Sequence, residues 1–191
     1  MPRNLIRVAV FDDHALLREG IIHVLQSSKR FEVIGSGSCC ADAVAFAMKE
    51  RPDVIILDVG MPGGGIEAAT RIANGHIGTR CIMLTISRQE DDVVASFAAG
   101  ARAYVLKGTS GRELIHIVLA VYKGERYLPL DFIAGLMAPS AVPKEDTEEI
   151  TQRGRRRKSR VTVSRLRVAD NNLDEIAILL VSKAAERRTY H

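Results

Sequence analysis

Cysteine is scarce in this chain, with three among 191 residues at Cys39, Cys40 and Cys81. Two are adjacent, which gives neither a C-x-x-C metal spacing nor the even framework of a small disulfide-stapled secreted domain. A reducing, intracellular setting is expected. Long apolar runs are also missing: none approaches the roughly 18 residues of a membrane span. The opening MPRNLIRVAVFDD meets acid before a signal-peptide core could be complete. The expectation is a soluble, cytoplasmic protein with no membrane partner. Several catalytic signatures are absent too. The five His show no H-E-x-x-H spacing, and the glycines at 63–65 are not followed by G-K-[ST]. In GSGSCC (35–40), Cys40 stands where the third glycine of a dinucleotide fingerprint belongs. His14 and His23 read as ordinary residues of the first helix, and Met61 and Met83 as core.

The composition, 47% hydrophobic and 26% charged, is that of an ordinary folded protein. The length suits one domain with room for a small second module. Charge is unevenly spread. Residues 1–150 carry 16 Lys+Arg against 19 Asp+Glu, while residues 151–191 carry 11 against 4. A basic tail on an acidic body suggests a nucleic-acid partner, with a solvated charge run as the other reading.

Five short, mostly β-branched runs read as strands: 5–11, 31–35, 53–59, 80–85 and 101–106. Stretches with helical spacing alternate with them at 14–26, 40–50, 66–73, 90–98 and 112–122. Such alternation implies a parallel sheet covered on both faces through right-handed crossovers. The predicted fold class is α/β, a flavodoxin-like, doubly wound, five-stranded parallel sheet over residues 4–124. Residues 125–137 could add a short helix. APSAVPKEDTEE (138–149) has the composition of an exposed linker, and a small all-α region is expected over 150–191.

In an open α/β sheet the binding crevice lies at the carboxyl ends of the strands. Asp12 and Asp13 end the first strand, Asp58 the third and Thr85 the fourth, and Lys107 follows the fifth. If strands one and three are neighbours, three carboxylates converge, and a cation must offset their repulsion. Hard oxygen ligands in a partly open site suit Mg²⁺ shared with a phosphate. A carboxylate there can attack phosphorus to give an acyl phosphate. Lys107 could neutralise one phosphoryl oxygen and Thr85 hydrogen-bond another. Gly63 to Gly65 could frame the metal loop or simply form a turn.

The segments VAVFDDHALLREGI (8–21), PDVIILDVGMPGGGIEAA (52–69), IMLT (82–85), AGARAYVLKG, ending at Gly108, and KGERYLP (123–129) together resemble bacterial two-component response regulators of the NarL/FixJ subfamily. The resemblance covers residues 5–130. It implies that residues 4–124 are a receiver domain, with Asp58 as phosphoacceptor, Mg²⁺ held by Asp12, Asp13, Asp58 and the Gly60 carbonyl, and Lys107 paired with the phosphoryl group. Thr85 and Tyr104 match the switch pair. The implied partners are a sensor histidine kinase, DNA, and a second copy on phosphorylation. The output would be transcription control rather than enzymatic turnover. A phosphohydrolase is the less fitting reading, because the nucleophile sits on the third strand and no separate general acid is evident.

Such regulators usually end in a LuxR-type helix-turn-helix. ITQR (150–153) and VADNNLDEIAILLVSKAAERR (168–188) resemble parts of that module. The run Gly154, Arg155, Arg156, Arg157, Lys158 departs from it, the first interval is several residues long, and the last helix has no counterpart. Lys183, Arg187 and Arg188 are the expected DNA contacts if the module works. The alternative is a receiver-only signalling module with a nonfunctional tail.

Overall fold

The computed structural model describes residues 5–129 and Phe132. Ten elements alternate: β1 (Ile6–Phe11), α1 (Ala15–Ser27), β2 (Phe31–Gly37), α2 (Cys40–Glu50), β3 (Val54–Asp58), α3 (Gly65–Asn74), β4 (Arg80–Thr85), α4 (Glu90–Ala98), β5 (Ala103–Leu106) and α5 (Gly111–Tyr122). The strands form one parallel sheet in the order β2-β1-β3-β4-β5. This is the flavodoxin-like order, with β1 beside β3 as the convergence of carboxylates required.

Strand periodicity divides the core into two layers. Ala9, Phe11, Ile55, Leu57, Cys81, Met83 and Tyr104 face α2, α3 and α4. Their neighbours Val8, Val10, Val54, Ile56, Ile82, Leu84, Ala103 and Val105 face α1 and α5. All of β3 is buried, which explains why it reads as an unbroken apolar run rather than an alternating one. The expected core positions Met61 and Met83 are buried. At the start of α5, Ser110 Oγ accepts from the Glu113 amide at 3.3 Å, the serine half of an S-x-x-E capping box. GSG of the rejected dinucleotide motif belongs to β2 itself.

Two expectations need correction. His14 is the N-cap residue preceding α1, not an ordinary residue within it. The short helix expected within 125–137 does not begin at 125: residues 125–129 are not helical, with Tyr127 in a parallel bridge to Ala103 at the edge of β5, whereas Phe132 is helical and the rest of that stretch lies outside the described residues. The Tyr104 amide donates to the Tyr127 carbonyl at 3.1 Å and the Tyr127 amide to the Arg102 carbonyl at 3.0 Å. The free edge of β5 competes for these backbone groups, and helical periodicity cannot register that competition. Leu128 and Phe132 then join the core layer of Tyr104. The expected linker and the 150–191 region lie outside the described residues.

Cys40 and Cys81 are buried and Cys39 is partly exposed. Burial pushes the Cys81 thiol up to about 12, so at neutral pH it holds almost no thiolate. Native protein treated with an alkylating reagent at pH 8 is expected to take up label at Cys39, with Cys40 and Cys81 reacting only in denaturant. Peptide mass mapping checks this; fast native labelling of Cys81 would contradict its place under α3 and α4.

Candidate functional site

Sheet register assembles the site. Phe11 pairs with Leu57 across β1 and β3, so Asp12 and Asp58 emerge side by side one residue later. Thr85 pairs with Leu106, and the Lys107 amide donates to the Thr85 carbonyl at 2.8 Å, which starts the lysine back toward the carboxylates. Lys107 Nζ donates to Asp12 Oδ1 at 3.2 Å and lies 3.1 Å from Asp12 Oδ2 and 3.1 Å from Asp58 Oδ2. One ammonium thus spans two carboxylates that are both almost fully buried.

The loops that leave the strands hold these groups in place. Asp12 Oδ1 accepts the His14 amide at 2.9 Å, and the Arg18 guanidinium of α1 donates to the Asp12 carbonyl. Asp58 Oδ1 accepts the Gly60 amide at 3.2 Å. Gly63 and Gly64 have φ of 82° and 80°, a left-handed conformation that a side chain would strain. Gly65 is a close approach rather than a hinge: a Cβ there would run into the Asp58 carbonyl. The glycine run therefore serves both the turn and the seating of α3 against the end of β3.

His14 belongs to the site, which the sequence reading missed. Its Nδ1 is 2.7 Å from Asp13 Oδ1, 3.3 Å from Asp12 Oδ1 and 3.5 Å from Lys107 Nζ. The available signal was adjacency, since a residue following two strand-end aspartates must pass the crevice before α1 begins. Asp12, Asp13, His14 and Asp58 offer ligand atoms all within 4.8 Å of one another. Asp12 Oδ2 is buried and accepts no aligned hydrogen bond, its close neighbour being the Lys107 ammonium. An under-satisfied buried carboxylate oxygen among other hard donors fits a divalent cation such as Mg²⁺.

Burial raises the Asp58 pKa above the ordinary carboxylate value, and the Asp12 charge adds to the rise. Hydrogen bonds from Lys107 and the Gly60 amide pull against it. Thr85 is buried, and its Oγ1 accepts the Ser87 amide at 2.9 Å. Tyr104 lies beyond it, fully buried, with its hydroxyl donating to the Ser87 carbonyl at 3.3 Å. Asp12, Asp13, Asp58, Gly60, Lys107 and Thr85 thus gather at one sheet edge, and Tyr104 joins them through Ser87. Lys183, Arg187 and Arg188 lie outside the described residues.

Known proteins are similar to this chain in sequence and fold. The family model of the response regulator receiver domain matches residues 8–119. The chain is 38% identical over 145 residues to the response regulator UvrY of Escherichia coli K12, covering 75% of this chain and 66% of that protein. It is 30% identical over 142 residues to the response regulator GacA of Pseudomonas aeruginosa, covering 74% and 66%. It therefore spans 66% of the length of both. Among solved structures, the signal receiver domain of NarL from Mycobacterium tuberculosis superposes with a TM-score of 0.62 at 31% identity, over 63% of this chain and 98% of that one.

A carboxyl whose pKa is raised by folding opposes folding once it ionises. The unfolded chain binds fewer protons than the native one between the unfolded pKa and the raised native value, so stability falls as pH rises through that window. Asp58→Asn is expected to be more stable than the parent in urea at pH 7, with the difference closing as pH drops below about 3.8, the ordinary value. Equal midpoints at pH 7 would show that Lys107 fully compensates the burial.

Proposed function

The chain belongs to the response regulator family through its receiver domain, in the NarL/FixJ subfamily, and from that premise we propose that it is a phosphorylation-controlled regulator of transcription. A sensor histidine kinase donates the phosphoryl group to Asp58, and the basic C-terminal region, through Lys183, Arg187 and Arg188, engages DNA. The observation that carries this reading is the Lys107 ammonium spanning Asp12 and Asp58 at the ends of neighbouring strands.

The chemistry follows from the residues present. A carboxylate oxygen of Asp58 attacks phosphorus, the bond to the kinase imidazole nitrogen breaks, and that nitrogen takes up a proton. Mg²⁺, held by Asp12, Asp13, Asp58 and the Gly60 carbonyl, would offset charge on the phosphoryl oxygens when bound. Lys107 is already within salt-bridge distance of Asp58 and can transfer one of its contacts to a phosphoryl oxygen. The added group brings about −1.5 to −2 charges and three acceptors. A state with Thr85 turned toward those oxygens is thereby favoured, and Tyr104 fills the space behind it. This shift alters the surface of α4, β5 and α5, through which a second copy would pair. Among the described residues no helix is long and apolar enough to cross a membrane.

Acetyl phosphate with Mg²⁺ is expected to add one phosphoryl group to the full chain, read by intact mass, and Asp58→Asn to take up none. Undiminished labelling of that variant would remove Asp58 from its role. Lys107→Ala is expected to keep Mg²⁺ binding yet lose the change around Thr85 and Tyr104 on phosphorylation, followed by hydrogen exchange. Should phosphorylation produce no sequence-specific DNA binding, the output would be protein contact instead.

A further inference from the structure

After α5 the chain does not leave the domain. Gly124, with φ of 99°, turns it back along β5. Tyr127 then closes the strand edge through both backbone groups, and its hydroxyl donates to Glu113 Oε1 of α5 at 3.1 Å. Leu128 and Phe132 are buried at 7% and 6% exposure. Phe132 meets the Tyr104 ring edge-on, with centroids 5.5 Å apart and planes at 80°, the favoured geometry of an aromatic pair. From the other side, Tyr104 is tied through Ser87 to Thr85. One continuous path of contacts therefore runs from the edge of the acidic site to the segment that continues into the C-terminal region.

We propose that residues 127–129 and Phe132 act as a latch on the switch: Phe132 seats against the inward Tyr104 ring, so that latch docking and phosphoryl binding at Asp58 favour one another. The inference rests on the reading of Thr85 and Tyr104 as the switch pair. Its physical content is a shared state. If the Tyr104 ring leaves, Phe132 loses the partner that buries it, and the backbone bonds between Tyr104, Tyr127 and Arg102 lose their side-chain support. If the ring is held inward by Thr85 moving toward a phosphoryl group, the latch has its full seat. Coupling of this kind is reciprocal: docking of the latch tightens a phosphoryl mimic by the same factor as the mimic tightens docking, so loss of the latch weakens mimic binding by up to that factor. The state of Asp58 then reaches the C-terminal region along the chain itself, without a second copy.

The test uses the full chain with beryllofluoride and Mg²⁺, comparing the parent with Phe132→Ala and Phe132→Leu. Phe132→Ala is expected to weaken beryllofluoride binding about 5-fold or more, the lower range of measured couplings, while Mg²⁺ binding alone is unchanged. The amides of Tyr104 and Tyr127 should exchange faster in that variant, and beryllofluoride should slow them in the parent. Combining Tyr104→Ala with Phe132→Ala should cost no more mimic affinity than Tyr104→Ala alone. Phe132→Leu keeps apolar burial without the ring edge and should fall between; it carries the test should the alanine variant not fold. Unchanged mimic affinity with faster amide exchange would overturn the latch and reduce Phe132 to core packing. Fully additive losses would do the same. Absence of any beryllofluoride response at Asp12, Asp13 and Gly60 in the parent would instead overturn the phosphoacceptor reading on which the latch depends.

Discussion

Two carboxylates at adjacent strand ends, both almost without solvent, would repel each other strongly enough to push one toward its neutral form. The Lys107 ammonium between Asp12 and Asp58 is what lets them share the crevice. Much of the fold serves that contact. The β1–β3 register sets the carboxylates side by side, and the β4–β5 register places the lysine across from them. Close seating of Gly65 against the Asp58 carbonyl holds the loop that follows β3. The compensation is incomplete, because the Asp58 pKa remains raised and one Asp12 oxygen accepts no aligned hydrogen bond. The site is thus built with unmet demand for positive charge, a demand that a divalent cation would satisfy.

The two core layers divide the work. The layer beneath α1 and α5 is filled by aliphatic side chains from β1, β3, β4 and β5 together with Phe31 of β2, and anchors the sheet. The opposite layer contains Tyr104, the largest fully buried side chain, in company with Val93 of α4 and Phe132. Ser96 of α4 is buried on the same side with its hydroxyl unpartnered.

The strands and helices were legible because each is a local pattern: apolar runs of strand length in β1, β3, β4 and β5, and helical spacing between them. The gathering of Asp12, Asp13, Asp58, Thr85 and Lys107 was legible as well, since a parallel sheet sends every strand's carboxyl end to one edge. Two features escaped. His14 looked like helix because its spacing from Ile21 and Leu25 suits α1, while its side chain is claimed by the two aspartates before it. Residues 125–129 carry Tyr127 and Leu128 at positions that a helix or a strand could use, and only the vacant edge of β5 decides for the extended form. Non-local demand of that kind leaves no period in a sequence.

Closing that edge has a colloidal side as well. Arg102 and Tyr104 offer backbone groups that any extended chain could take, and Tyr127 takes them first. A receiver cut after residue 124 would keep its acidic crevice but bear a bare strand flanked by exposed apolar core, the surface on which sheets of separate molecules join edge to edge. Insolubility would then accompany the weaker switch that loss of Phe132 entails.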